Sequence, residues 1–229
     1  HIDTIISGLG FTCVDRILFD LGWSSPQFAE RGRGFSFLQS DEPLDMRFSS
    51  DVGNLEKRPN KTAGELVNSA SPDVLVRIFR EYGEEKLAHE IAGAIVVQRT
   101  KEAITTVKQL VEIILEVYRK KTHTTKEVPW IGGLHPATRV FQALRIAVNK
   151  ELEVLEGVLP KALSLLCPGG RLAVISFHSL EDRLVKHFFK SHIGKGYRVL
   201  TKKPIVPSSE ECKVNTRARS AKLRVIEKI

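Results

Sequence analysis

Residues 17–27 read ILFDLGWSSPQ, and this stretch decides the fold class. It begins with a short apolar run without alternation, which is typical of a strand buried on both faces of a parallel sheet. Asp20 ends the run, and the glycine, serines and proline that follow favour a loop. Ligands of open α/β sheets bind at the carboxyl ends of the strands, so Asp20 is a candidate site residue. The alternative is that Asp20 only caps the loop or the next helix.

A second buried strand is predicted for residues 171–177, RLAVISF. Polar residues follow it directly, beginning with His178 and Ser179. If both strands belong to one sheet, their polar ends face the same crevice. A Ser/His/Asp hydrolase is disfavoured, because the chain has no G-x-S-x-G turn. A metal site is also disfavoured, because the histidines lack paired metal-ligand spacing.

Between the two strands, residues 62–118 carry four successive helical patterns and no strand. A capping box at Thr62 and Glu65 starts the first helix. Four helices in a row inside an α/β pattern indicate a helical insertion. We therefore predict three parts: a first α/β part at residues 1–61, a helical insertion at residues 62–137 and a second α/β part at residues 138–229. The second part is expected to open with one long helix from Thr138 to Leu159.

The composition is that of an ordinary globular protein, with a net charge of +8 and a pI near 9.5. This charge favours an anionic partner, nucleic acid first, although a merely basic protein would show the same balance. No apolar run approaches the roughly 20 residues of a membrane helix. Cys13, Cys167 and Cys212 lie far apart without a CxxC, so neither a zinc site nor a disulfide framework is suggested. We expect a reducing compartment, the cytoplasm.

Seven blocks of the chain, taken together, resemble the bacterial small-subunit rRNA (cytosine-N4)-methyltransferase family, RsmH/MraW. They follow in family order, and ISFHSLEDR and the helix around FQALRIAVN are the most specific. The blocks are ILFDLGWSSPQ (17–27), RGFSF (33–37), PLDMR (43–47), YGEE (82–85), HPATRVFQALRIAVNKEL (135–152), PGGRLAVISFHSLEDRLVKHFF (168–189) and RARSAKLRV (217–225).

The resemblance implies an α/β, class I (Rossmann-like) methyltransferase sheet with an inserted all-helical subdomain. Residues 1–61 and 138–229 are then the two parts of the methyltransferase domain, truncated at its N-terminus, and the insertion at residues 62–137 is expected to recognise RNA. The implied donor is S-adenosyl-L-methionine, and the implied acceptor is the exocyclic N4 amine of a cytosine. That cytosine lies in small-subunit rRNA, either free or in the assembled small ribosomal subunit. Neither a metal nor a covalent intermediate is expected, because positioning of the amine supplies most of the catalysis.

The resemblance also assigns residues. Asp20 and Gln27 match donor-binding positions, and the segment Ser24, Ser25 and Pro26 matches the amino-methyltransferase motif. With Asp20 and His178, these three residues form the expected catalytic set. RNA contacts are expected from Arg139, Arg145, Asn149, Ser179, Arg183, Arg217, Arg219 and Lys222; the alternative for any one of them is a solvated surface.

The segment from His178 to Arg183 has two interpretations. We expect His178 and Ser179 to approach the target base, and Arg183 to pair with Glu181, Asp182 or an RNA phosphate. The alternative is that the segment only caps the next helix, with Ser179 as N-cap and Asp182 as its reciprocal partner.

The Gly-rich donor loop of the family, which reads like GGGHS, has no counterpart in this chain. We therefore expect the N-terminal donor-binding part to lie upstream of His1. The rival hypothesis is a non-catalytic RNA-binding or ribosome-assembly protein that keeps the methyltransferase-like fold.

Overall fold

The computed structural model describes residues 2–22, 32–48, 61–124 and 133–229. The chain divides into two compact units. The sheet unit comprises residues 1–23 and 151–229, and the helical unit comprises residues 24–150. The helical unit therefore extends beyond the range 62–137 that the sequence predicts, and it includes the segment 138–149.

In the sheet unit, the described elements alternate between strands and helices. They are α1 Ile2–Gly8, β1 Val14–Asp20, α7 Glu151–Ser164, β2 Leu166–Ser176, α8 Ser179–Ser191, β3 Tyr197–Val199, α9 Ser209–Val214, a 3-10 helix Thr216–Ser220 and β4 Lys222–Lys228.

In the helical unit, the described elements are all helices. They are α2 Ala63–Ser69, α3 Pro72–Glu81, α4 Ala88–Arg99, α5 Val107–Thr122 and α6 Thr138–Asn149. With the sheet unit, they confirm the α/β class that the sequence predicts.

The strands form one mixed sheet in the order β1-β2-β4-β3. β1 runs parallel to β2, with Asp20 opposite Ile175, whereas β4 runs antiparallel to both of its neighbours. β1 is an edge strand of this sheet, and the described residues cover one of its faces. Ile17 is buried while the next residue, Leu18, is 62% exposed. The prediction that this strand is buried on both faces is therefore wrong in this structure.

The core of the sheet unit lies where α7 and α8 pack against the sheet. Leu159 and Phe189 of these helices are buried with Leu172, Val174 and Ile226 of the strands. Burial of this apolar surface holds β2 in the centre of the sheet. The carboxyl end of β2 is thereby fixed immediately before α8.

Several helices of the helical unit begin at N-cap residues that can be recognised in the sequence. Thr62 and Glu65 form the predicted capping box, and Ser71 caps α3. Thr106 and Gln109 form a second capping box at the start of α5. Each cap satisfies backbone N–H groups that the first helical turn leaves without partners. The apolar faces of these helices meet in one core around Phe79, Ile91, Ile95, Leu110, Ile114 and Leu144, each fully buried.

The predicted long helix from Thr138 to Leu159 is two helices. Lys150 adopts a left-handed conformation, with φ of 51°, and ends α6; α7 begins at the next residue and continues through Pro160 to Ser164. A lysine rarely adopts positive φ, so its sequence carries no signal for this break. The apolar stripe continues across the break, which explains why the pattern predicts a single helix.

Cys13 and Cys167 form a disulfide, which the sequence analysis did not suggest. The two residues are 154 positions apart, but Cys13 precedes Val14, and Val14 pairs with Leu166 in the sheet. The strand pairing thus brings their Cα atoms to 5.1 Å. Cys212 is a free thiol.

No helix among the described ranges is long and apolar enough to cross a membrane. The expected cytoplasmic location stays a prediction.

Candidate functional site

Asp20 lies where β1 ends, as the sequence predicts. Its side chain is exposed, and its Oδ1 accepts the backbone N–H of Gly22 at 2.8 Å. Within the part of the chain that the structure describes, its Oδ2 has no hydrogen-bond partner. One oxygen therefore shapes the turn after the strand; no described residue donates to the other, which can accept a hydrogen bond from a ligand.

The two strand ends meet through Gly22 and Phe177. A Cβ atom at position 22 would lie 2.7 Å from Oδ1 of Asp20 and 2.9 Å from the ring of Phe177. Only a glycine can approach these groups so closely without displacing them. The turn after β1 and the residue after β2 therefore form one surface, with the Asp20 carboxylate beside an aromatic ring.

His178 is the N-cap of α8. Its Nδ1 accepts the backbone N–H of Glu181 at 3.4 Å, while Oε2 of Glu181 accepts the backbone N–H groups of Phe177 at 2.8 Å and His178 at 3.3 Å. The capping alternative is thus present, but its members differ from those that the sequence suggested. His178 takes the place expected of Ser179, and Glu181 takes the place expected of Asp182. Ser179 is the first helical residue and is exposed.

The capping contact also decides where the imidazole carries its proton. Because Nδ1 accepts a hydrogen bond, the neutral ring of His178 carries its hydrogen on Nε2. Nε2 is buried and lies 3.1 Å from Oε1 of Glu181, but it is not aligned for a hydrogen bond and has no such partner within the described ranges. In this conformation the ring of His178 therefore supports the start of α8. It presents no accessible nitrogen to a target nucleobase.

Glu151 lies close to this pair. The potential ligand atoms of Glu151, His178 and Glu181 lie within 4.8 Å of one another. A metal ion would need an unprotonated Nε2 and would move the hydrogen to Nδ1, where it would oppose the Glu181 N–H. This capping contact therefore disfavours a metal, and the expected absence of one stays a prediction.

Asp182 joins α8 to β4 through two cations. Arg224 donates to both of its carboxylate oxygens, at 2.6 and 3.2 Å, and Nζ of Lys222 lies 3.5 Å from Oδ2. Burial acts to raise the pKa of Asp182, but the hydrogen bonds and charges of Arg224 and Lys222 outweigh it and lower that pKa. The ion pair lies next to the α8 N-cap and fixes the helix against the sheet.

The residues predicted to contact RNA lie in both units. Nδ2 of Asn149 donates to the carbonyl oxygens of Met46 and Arg145, and its Oδ1 accepts the N–H of Phe48. Asn149 thereby holds the end of PLDMR and the residue that follows it, and a contact between its side chain and RNA stays a prediction.

The other predicted RNA contacts also stay predictions. Nη1 of Arg139 donates to the carbonyl oxygen of Glu84, and Lys222 pairs with Asp182. Arg145 is half-buried, and the exposed residues of the set are Ser179, Arg183, Arg217 and Arg219. The remaining predicted site residues, Ser24, Ser25, Pro26 and Gln27, lie outside the described residues.

The sequence analysis missed the roles of Gly22, Phe177 and Glu181. A glycine two residues after a strand-end carboxylate is one signal for a tight turn. The pair His178 and Glu181 has the spacing of a capping box, but histidine is not among the usual N-cap residues. The ion pair of Asp182 with Arg224 depends on sheet pairing and has no local signal.

Comparison with known proteins gives matches that extend over nearly all of this chain. A family model described as the MraW methylase family matches residues 1–229. The chain is 45% identical over 228 residues to the protein named Ribosomal RNA small subunit methyltransferase H of Dictyoglomus thermophilum, which covers 100% of this chain and 70% of that protein. It is 46% identical over 241 residues to the protein of the same name of Syntrophotalea carbinolica, covering 98% of this chain and 72% of that protein.

The cap assignment predicts different stabilities for neighbouring substitutions. His178→Ala should lower the free energy of unfolding by about 1 kcal/mol, because the N–H of Glu181 loses its acceptor. His178→Asn should restore most of this loss, because asparagine is a good N-cap. Ser179→Ala is the matched control and should change stability by less than about 0.5 kcal/mol. Urea unfolding measures all three; a larger loss for Ser179→Ala than for His178→Ala would contradict the assignment.

Proposed function

The chain belongs to the MraW methylase family, and we propose that the complete protein methylates the N4 amine of a cytosine in small-subunit rRNA. The observation that carries this proposal is the match over the whole chain to relatives named for methylation of small-subunit rRNA. The family requires a methyl donor, and we propose that the donor is S-adenosyl-L-methionine. The site at the ends of β1 and β2 is the proposed place of the reaction.

The donor contact is assigned to Asp20, with Gln27 as its expected partner. Oδ2 of Asp20 has no partner in the described part of the chain, and the carboxylate is exposed. A carboxylate in this position can accept a hydrogen bond from a hydroxyl or an amine. The proposed methyl donor carries groups of both kinds. When bound, S-adenosyl-L-methionine supplies an electrophilic methyl group on a sulfonium. The chain's own task is to hold the acceptor nitrogen in line with that group.

The chemistry of the cytosine amine, which receives the methyl group, explains why the site needs hydrogen-bond acceptors. The N4 lone pair of cytosine is delocalised into the ring, so the amine is a weak nucleophile. Acceptors that bind its N–H groups favour a pyramidal nitrogen, and we assign this task to Ser24, Ser25 and Pro26 with Asp20. The target base must first leave its stack to reach such a site.

After transfer, one proton must leave the nitrogen. Asp20 is the better candidate for its acceptor, because its carboxylate is exposed and no described residue donates to Oδ2. His178 is less suitable in this conformation, since Nδ1 caps α8 and Nε2 is buried. Water is the remaining acceptor. His178 then serves as a positioning residue that fixes the start of α8 beside the site.

The product identifies the reaction. The complete protein is incubated with small ribosomal subunits from cells that lack the activity and with methyl-labelled donor. The rRNA is then digested to nucleosides and analysed by mass spectrometry. We expect N4-methylcytidine, separated by chromatography from C5-methylcytidine. Binding of the rRNA without methyl transfer would overturn the proposal in favour of a non-catalytic assembly protein.

The helical unit is the proposed RNA-recognition module. It contains a cavity of about 230 Å³ whose lining includes three cations, Lys86, Lys121 and Arg139. Lys86 and Lys121 are exposed and have no carboxylate partner among the described residues. Tyr118 forms part of the wall, and its hydroxyl donates to the buried Glu85 at 2.9 Å. Burial, and then this hydrogen bond, raise the pKa of Tyr118, so its phenol stays protonated beside the three cations of the lining.

Charge removal tests this role. Lys86→Gln with Lys121→Gln should weaken rRNA binding several-fold and leave donor affinity unchanged, because both lysines line the cavity in the helical unit. Lys101→Gln with Lys108→Gln removes the same charge from the same unit outside that cavity and is the control. Fluorescence anisotropy measures RNA affinity, and calorimetry measures donor affinity. Equal RNA affinities for the two double variants would count against the assignment.

A further inference from the structure

A groove on the sheet unit, distinct from the ends of β1 and β2, is not explained by the reaction described above. It lies between the C-terminal half of α8 and the edge strand β3 and has a volume of about 540 Å³. We call it the α8–β3 groove. Its apolar lining includes Phe189, Tyr197 and Val199, together with two apolar side chains that are largely exposed, Ile193 at 56% and Ile229 at 73%.

The charges around this groove have one sign. Its lining contains five cationic side chains and, among the described residues, no acidic side chain; the cations are Lys186, Lys190, Arg198, Lys202 and Arg224. Arg198 pairs with Glu227, and Arg224 pairs with Asp182. Each of these carboxylates also contacts a second cation, Arg171 and Lys222 respectively, so neither leaves a net negative charge.

Three lysines of the groove carry charges that no described carboxylate neutralises. Lys186, Lys190 and Lys202 are exposed and have no ion-pair partner among the described residues. Lys186 and Lys190 are one helical turn apart and therefore lie on the same face of α8. The groove thus combines an apolar floor with a rim of uncompensated positive charge.

Tyr197 gives the floor a fixed aromatic ring. Its hydroxyl donates to the carbonyl oxygen of Leu163 at 3.3 Å, and its ring meets the edge of the His192 ring at 5.7 Å. Both contacts restrain the side chain before anything binds. A restrained aromatic surface loses little conformational entropy when a ligand packs against it.

We propose that the α8–β3 groove binds a single-stranded segment of the substrate RNA, outside the methyl-transfer site. This inference rests on the proposed function for the identity of the RNA. Unstacked bases offer apolar faces to aromatic and aliphatic side chains, and their phosphates require cations at the rim. Duplex RNA keeps its bases stacked inside and would leave the apolar floor uncovered. A neutral apolar partner would bury the three lysines without compensation.

The charge arm of the test compares two pairs of lysines that are close in sequence. Lys190→Gln with Lys202→Gln removes two charges from the groove. Lys195→Gln with Lys203→Gln removes two exposed lysines that do not line it and is the matched control. The probe is a fluorescein-labelled oligouridylate, and affinity is measured by anisotropy over a range of salt concentrations with the complete protein.

We expect the groove variant to bind the oligouridylate several-fold more weakly than the control. Its slope of log affinity against log salt concentration should be shallower by about 1.4, because each phosphate contact on a single strand contributes about 0.7. The apolar arm uses Ile193→Ser, which changes no charge. It should weaken binding while leaving the slope unchanged.

Equal affinities and slopes for the groove and control variants would overturn the proposal and would leave an acidic protein segment as the occupant to test. Binding of a duplex RNA with the same dependence on the groove lysines, and none on Ile193, would also overturn it. The proposed function fails separately: a protein that makes no N4-methylcytidine can still bind oligouridylate through this groove.

Discussion

The parallel pairing of β1 with β2 is the constraint on which the sheet unit depends. Its register sets Asp20 opposite Ile175 and so brings the turn at Gly22 against Phe177. At the other end, the register shifts between Val14 and Arg16, and the pairing of Val14 with Leu166 beyond this irregularity brings Cys13 and Cys167 together. A slip of one residue would turn every side chain of β1 to the opposite face. The pairing of these two strands therefore fixes the candidate site at their carboxyl ends and, beyond the register shift, the disulfide at their opposite ends.

Much of the fold was predictable because the signals are local. The capping box of Thr62 and Glu65 can be recognised from four consecutive residues. The strand that ends at Asp20 can be recognised from an apolar run that a polar residue ends. The left-handed turn at Lys150 has no such signal, since lysine does not favour positive φ. The pairing of cysteines 154 residues apart and the exposure of Leu18 follow from sheet order, which local patterns do not encode.

How well the sequence predicts the candidate site differs from residue to residue. The family inferred from the sequence blocks is confirmed by the match over the whole chain. Asp20 lies at its predicted place, but the N-cap falls on His178, because an imidazole nitrogen can accept the N–H that a serine hydroxyl usually takes. Asn149 contacts the backbone of Met46 and Phe48, more than 100 positions earlier in the chain. Such a contact can be found only in the folded protein.

The central claim is that the carboxylate of Asp20 contacts the methyl donor. Asp20→Asn keeps an oxygen for the Gly22 N–H but removes the charge, and Asp15→Asn makes the same change at an exposed aspartate near the start of β1. Calorimetric titration of S-adenosyl-L-methionine into the complete protein compares the two. The account predicts that Asp20→Asn loses about 1.5 to 3 kcal/mol of binding free energy, as expected for a hydrogen bond to a charged group, and that Asp15→Asn loses none. Equal donor affinities for the two variants would contradict it.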